Sequence, residues 1–192
     1  MKRIISIVGM IGAGKTTTIN ALKQLGYDTL NENYMEDSNS LLHDNRMILS
    51  KWAWISNWFC RVEKFFNENP NSTDLFVDRN VIEAGIWTDT CKPLFEPIKL
   101  SLEEFGSYGY EIVNICLKCD YATLQDRIKN RLLIEPIRLK LNENDSQYIQ
   151  CLYHSYLKNE AIWDFIINSQ VLNPEQICHE IINFLNLEKL SL

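Results

Sequence analysis

Chemistry is most legible near the N-terminus, where Gly9-Met10-Ile11-Gly12-Ala13-Gly14-Lys15-Thr16 fits the spacing G-x-x-x-x-G-K-[ST]. Glycines at those positions let the backbone wrap until several N–H groups converge on one phosphate, and a following helix turns its positive dipole end toward the same anion. Gly9, Gly12, Ala13, Gly14, Lys15, Thr16 and Thr17 are therefore expected to line a nucleotide's phosphates, with Lys15 reaching the β- and γ-phosphates. The Thr16 hydroxyl has the oxygen donor that Mg²⁺ requires. A second oxygen ligand is expected from Asp78, which ends the apolar run Leu75-Phe76-Val77. The alternative for Asp78 is a helix cap ahead of Val81, but a cap does not account for the adjacent Arg79.

A phosphate loop does not specify what attacks the phosphate. Glu32 follows a short strand candidate and should stand at the same edge of the sheet, where a base for an acceptor hydroxyl belongs; a solvated loop acid is the plain alternative. Arg127 and Arg131 are spaced i, i+4 on one helical face, so both guanidinium groups can clamp a transferring phosphoryl group rather than merely face solvent. The polar stretch Glu135 to Gln147 reads as part of a lid, over approximately residues 131–147, that excludes water from the transfer. The guanine-reading patterns N-K-x-D and T-K-x-D are missing, which argues against a guanine-specific GTPase. Cys116-Leu117-Lys118-Cys119 matches C-x-x-C, but its first cysteine falls in a buried strand candidate with no second pair nearby, so free thiols are expected.

These residues must be positioned by alternating short apolar runs and longer helical stretches, the pattern of βαβ units around a parallel sheet. Strands are expected at Ile4 to Val8, Thr29 to Asn31, Leu75 to Val77, Ile112 to Leu117 and Phe165 to Ile167. Helices are expected over Thr16 to Leu25, parts of Ser38 to Phe66, Val81 to Asp89, Tyr121 to Leu133, Asp145 to Trp163 and Pro174 to Leu187. Lys92 to Pro97, with two prolines, reads as a loop. The expected fold is α/β, a three-layer α/β/α P-loop domain with a five-stranded parallel sheet and a helical lid, spanning residues 1–192 as a single domain.

Composition narrows the partners. With 192 residues and 46% hydrophobic content the chain can bury one sizeable core. Its 19 basic against 25 acidic residues leave a formal net charge of −6, unfavourable for gripping a nucleic-acid polymer or an anionic membrane. The basic start and apolar run at Met1 to Ile11 resemble a secretory signal, but Lys15 interrupts the run and the glycines are better explained as a phosphate loop. A cytoplasmic location and reduced cysteines are the expectation.

Taken together, these motifs resemble the deoxynucleoside kinase family, P-loop enzymes that phosphorylate the 5′-hydroxyl of deoxynucleosides. Asn31-Glu32-Asn33 occupies the place of that family's Glu-Pro segment, and Asp78-Arg79-Asn80 that of its Glu-Arg-Ser motif. Asp126-Arg127-Ile128-Lys129-Asn130-Arg131 through Tyr148-Ile149, Leu152, Tyr156-Leu157, Glu160 and Trp163 is similar to its lid and following helix. The resemblance implies ATP and Mg²⁺ as cofactors, a small nucleoside as substrate, Glu32 as base with Arg79 beside the acceptor hydroxyl, and room for a homodimer. It also implies substrate contacts from His43 in place of a Tyr, from Trp54 in place of a base-reading Gln with Asn57 nearby, and from Glu135 toward the sugar. Leu133 stands where a third lid arginine belongs and Ala84 where some members have an Asp. The aromatic stripe Trp54, Trp58 and Phe65, with Trp52 and Phe59, serves either the core or a stacked base. A thymidylate kinase-like nucleoside monophosphate kinase, with Arg46 or Arg61 pairing the acceptor phosphate, and a non-catalytic nucleotide-binding subunit are the alternatives.

Overall fold

The computed structural model describes residues 1–32, 47–87 and 93–187. The expected strands form one all-parallel sheet in the order β2-β3-β1-β4-β5. They are β1 (Lys2–Gly9), β2 (Thr29–Leu30), β3 (Asp74–Asp78), β4 (Tyr110–Lys118) and β5 (Phe165–Asn168). Ile4, Ile5, Ile7 and Val8 of the central strand β1 are wholly buried, as a parallel strand covered on both faces must be.

The helices are α1 (Lys15–Gln24), α2 (Met47–Glu68), α3 (Ile82–Ile86), α4 (Phe95–Ser107), α5 (Tyr121–Ile134), α6 (Ser146–Lys158) and α7 (Pro174–Phe184). A 3₁₀ turn at Pro136–Leu141 joins α5 to α6, and another at Glu160–Ile162 precedes β5. Capping sets several starts. Asp120 accepts from Thr123 N at 2.7 Å ahead of α5, Asp145 accepts from Gln147 and Tyr148 ahead of α6, and Asn173 and Gln176 form a reciprocal capping box on α7. None of the helices among the described residues is long and apolar enough to cross a membrane.

Helix α4 corrects the sequence reading, which ended a loop at Pro97. Pro97 is the third residue of the helix, where the missing N–H would have had no intrahelical acceptor, so the proline costs no hydrogen bond. The helix is held by burial of Ile98 and by Phe105 stacked on Tyr110, with ring centroids 4.4 Å apart and planes 3° from parallel. The expected helix at 145–163 likewise ends at Lys158, the remainder forming the 3₁₀ turn before β5.

Charged side chains that are nonetheless buried are Lys15, Lys51, Asp78, Arg79, Glu83 and Glu143. Such groups are tolerated only when paired, and where they gather they are candidates for a functional site.

Candidate active site

Strand β1 delivers the chain into the phosphate loop at Gly9, and only glycine fits there. Its φ is +138°, and a Cβ would lie 2.5 Å from the Leu117 carbonyl oxygen of β4. Gly14, at φ +101°, turns the chain into α1. Lys15 follows and is buried, its Nζ donating to the carbonyls of Gly9 at 2.8 Å and Met10 at 2.9 Å. Burial, followed by the like charge of Arg79, lowers the Lys15 pKa to about 8.

Thr16 Oγ1 donates to Asp78 Oδ2 at 2.7 Å, because the β1–β3 register, Ile7 beside Asp78, brings the end of β3 against the start of α1. Asp78 Oδ1 is buried and has no hydrogen-bond partner among the described residues. Burial raises the Asp78 pKa, with Lys15 acting against it. A hydroxyl and a carboxylate side by side, with a buried oxygen still unused, match the donor set of a Mg²⁺ site. Near the start of α3 the backbone N–H of Ile82 is taken by the side chain of Asn80, whose Oδ1 accepts it at 2.9 Å.

Strand β2 pairs Leu30 with Val77, which brings Glu32 to the end of β3. Glu32 Oε1 lies 2.6 Å from Arg79 Nε. Arg79 has φ +76°, a left-handed conformation that costs a non-glycine residue about 1 to 2 kcal/mol. Two contacts impose it: Arg79 N donates to Ile7 O at 3.0 Å, and Trp58 Nε1 donates to Arg79 O at 3.2 Å. Burial works against the Arg79 charge, but Glu32 and Glu83 hold the guanidinium protonated well above its ordinary pKa. Two cations approach the Trp87 ring, with Arg79 Cζ 5.4 Å and Lys51 Nζ 4.7 Å from its centroid.

Glu83 was not anticipated from the sequence. It is wholly buried and accepts from Gly9 N at 3.2 Å, Asn80 N at 3.3 Å, Arg79 Nη1 at 3.4 Å and the Tyr156 hydroxyl. Burial raises its pKa, opposed by Arg79 and Lys15. One carboxylate thus ties the phosphate loop, the Arg79 turn and α6 together. Its only sequence signal is an acid four residues after Arg79, in the first turn of α3.

Arg127 Nη1 donates to Gly12 O at 3.3 Å and Nη2 to Ser169 O at 3.0 Å, which lays the side chain against the phosphate loop. Arg131, one turn on, donates through Nη2 to both oxygens of Glu143, at 3.0 and 3.1 Å. The phosphate loop, Glu32, Arg79, Arg127 and Arg131 line a single cleft of about 310 Å³, joined by Arg138, which the sequence reading did not single out.

Other expected site residues are not among those lining this cleft. Trp54 is 1% exposed, with its ring centroid 5.4 Å from that of Trp87, and is a core residue. Trp58 is committed to the Arg79 carbonyl, Phe59 meets Phe105 and Phe65 meets Phe66. Asn57 is half-buried on α2 and Glu135 is ion-paired with Arg138; neither lines the cleft. Leu133 is 82% exposed. His43 and Arg46 lie outside the described residues. Arg61 Nη2 donates to Asn31 O at 2.6 Å, one residue from Glu32. Cys116 is a core residue whose thiol burial pushes up to about 12. Among the described residues, no cluster of three or more His, Cys, Asp or Glu has a metal-binding arrangement.

The architecture is shared with solved structures of deoxyadenosine kinase from M. mycoides. The one with bound dCTP aligns with a TM-score of 0.63 at 20% identity, covering 95% of this chain and 98% of that one. The structure with bound dATP aligns at 0.58 and 19% identity, covering 95% and 99%, and the one with dCMP and a flexible dCDP at 0.59 and 20%, covering 95% and 98%. At these identities the likeness is one of fold. Comparison with curated proteins finds no match. A family match does extend over most of the sequence, from the centre of β1 into α6: residues 5–150 match the AAA domain, and the chain belongs to that P-loop family.

Proposed function

We propose that this chain is an ATP-dependent kinase that transfers the γ-phosphoryl group to the 5′-hydroxyl of a nucleoside or deoxynucleoside. The observation that carries the reading is the Glu32 carboxylate 2.6 Å from Arg79, in the same cleft as the phosphate loop. The fold shared with deoxyadenosine kinases that bind dATP, dCTP and dCMP supports the choice of a nucleoside acceptor.

In this mechanism Lys15, the loop amides, Arg127 and Arg131 hold the ATP phosphates. Thr16 and Asp78 would hold Mg²⁺, which supplies positive charge to the β- and γ-phosphate oxygens. Glu32 accepts the proton of the 5′-hydroxyl as that oxygen bonds to the γ-phosphorus and the bond from γ-phosphorus to the bridging oxygen breaks, leaving ADP. Arg79 holds Glu32 and the hydroxyl in line, and the 135–147 segment acts as the lid that excludes water.

The monophosphate kinase alternative has one observation in its favour, the Arg61 guanidinium bonded to Asn31 O beside the proposed base, where it could meet an acceptor phosphate. A panel of nucleosides and their monophosphates, offered with labelled ATP, separates the two. Transfer to nucleosides is the expected result; transfer to monophosphates alone would give Arg61 the acceptor role, and transfer to neither would leave nucleotide binding only.

Lys15 makes donor binding pH-dependent. Its free-state pKa of about 8 lies below the ordinary lysine value, so the amine is charged below pH 8 and becomes neutral above it. Phosphate selects the charged form. ATP affinity should be level below about pH 8 and fall by up to about tenfold per unit above it, a profile that titration from pH 6.5 to 9.5 would read directly. A flat profile would mean that Lys15 keeps its proton without help from nucleotide.

A further inference from the structure

Beyond the 3₁₀ turn, Asn142 adopts φ +57° and turns Glu143 inward, leaving that residue 3% exposed. Its carboxylate gathers two arginines from different elements. Arg131 of α5 binds both oxygens through Nη2, and Arg138 of the 3₁₀ turn donates from Nη1 to Oε1 at 3.0 Å. Glu135 takes the Arg138 Nε. Buried ion pairs do little for stability on their own, because desolvation offsets the attraction, so an arrangement of this kind calls for another reason.

That reason is in the cleft. Arg131 and Arg138 both line it together with the phosphate loop. Glu143 engages a single nitrogen of each guanidinium, and Arg131 Nε is buried with no hydrogen-bond partner among the described residues. A guanidinium carries five N–H donors, so both forks keep donors in hand. Burial lowers the Arg131 pKa, Glu143 opposes this, and the like charges of Arg138 and Arg79 add to the lowering.

We propose that Arg138 is a third phosphate-binding guanidinium of the cleft, acting with Arg131 on the terminal phosphate of ATP, and that Glu143 is the positioning residue that orients both. The proposal rests on the assignment of ATP as donor and is independent of the acceptor. Glu143 fixes the two side chains before nucleotide arrives, so their rotamer freedom is not lost on binding.

The test compares wild type with Arg138→Ala, Arg138→Lys, Glu143→Gln and the Arg138→Ala/Glu143→Gln double variant. Each is titrated with Mg·ATP and Mg·ADP in competition with a fluorescent ATP analogue, with thermal denaturation confirming the fold. Arg138→Ala should weaken ATP by about tenfold and ADP by less than about threefold, since ADP lacks the terminal phosphate. Arg138→Lys should not restore ATP affinity, because it keeps the charge but loses the fork. It also carries the test if the alanine variant does not fold. Glu143→Gln should weaken ATP selectively and add little on top of Arg138→Ala, the mark of a shared pathway. ATP binding unchanged in the arginine variants, or lost equally with ADP, would overturn the proposal, as would a Glu143→Gln effect that lowers the melting temperature while leaving the ATP to ADP preference intact. Binding needs no acceptor, so failure here and failure of nucleoside transfer are separately visible.

Discussion

Glu32→Gln should slow phosphoryl transfer by ~10²-fold or more while ATP affinity stays within about twofold. The amide has nearly the volume of the carboxylate and its carbonyl oxygen can still face Arg79 Nε, now 2.6 Å from Glu32 Oε1, so the mouth of the cleft keeps its shape. It cannot take up the hydroxyl proton. The effect should therefore appear in kcat and kcat/KM together, with no comparable rise in KM for ATP, and single-turnover transfer to a nucleoside would measure it without interference from product release. Turnover like that of wild type would show that Glu32 serves only as the counter-ion of Arg79. A large rise in KM for ATP would point instead to displacement of Arg79 toward the phosphate loop.

Glu83→Ala should destabilise the folded protein by about 3 to 5 kcal/mol, a large part of the ~5–15 kcal/mol that holds an ordinary domain together. Removing this carboxylate leaves the Gly9 and Asn80 N–H groups without their acceptor and takes one of two counter-ions from buried Arg79. It also strips the Tyr156 hydroxyl of its carboxylate partner. Each buried donor left unpaired costs about 1 to 3 kcal/mol before any relaxation. Glu83→Gln, which keeps an acceptor oxygen but not the charge, should be affected less. Urea denaturation would read both, and an alanine variant within about 1 kcal/mol of wild type would mean that the network contributes nothing net.

What could be read from the sequence was whatever is encoded locally. The phosphate loop is a contiguous run in which each residue type has a backbone or charge reason, and the five strands are short apolar runs bounded by polar segments. Arg127 and Arg131 could be paired because helical spacing alone puts them on one face. Helix α4 escaped because Pro97 was read as a breaker, although in a first turn a proline breaks nothing, and Ile98, Leu102 and Phe105 carry helical spacing behind it. Glu83, Arg138 and Glu143 were missed for a different reason. Glu83 meets Tyr156 from 73 positions away and Gly9 from 74, and no spacing rule connects them. Glu143 is one acid in a polar stretch until Asn142 turns it inward. Trp54 shows the converse: a large aromatic side chain on a helix near a site fits either a base-stacking or a core role, and only tertiary structure shows it buried against Trp87.

The indole of Trp87, with the Lys51 and Arg79 cations both near its ring, gives the protein an optical property of its own. Light absorption shifts electron density across that ring, so its emission colour depends on the field of the two nearby cations. Any ligand that draws Arg79 toward itself would change that field, so on the proposed function the Trp87 emission would be a label-free gauge of occupancy beside Arg79.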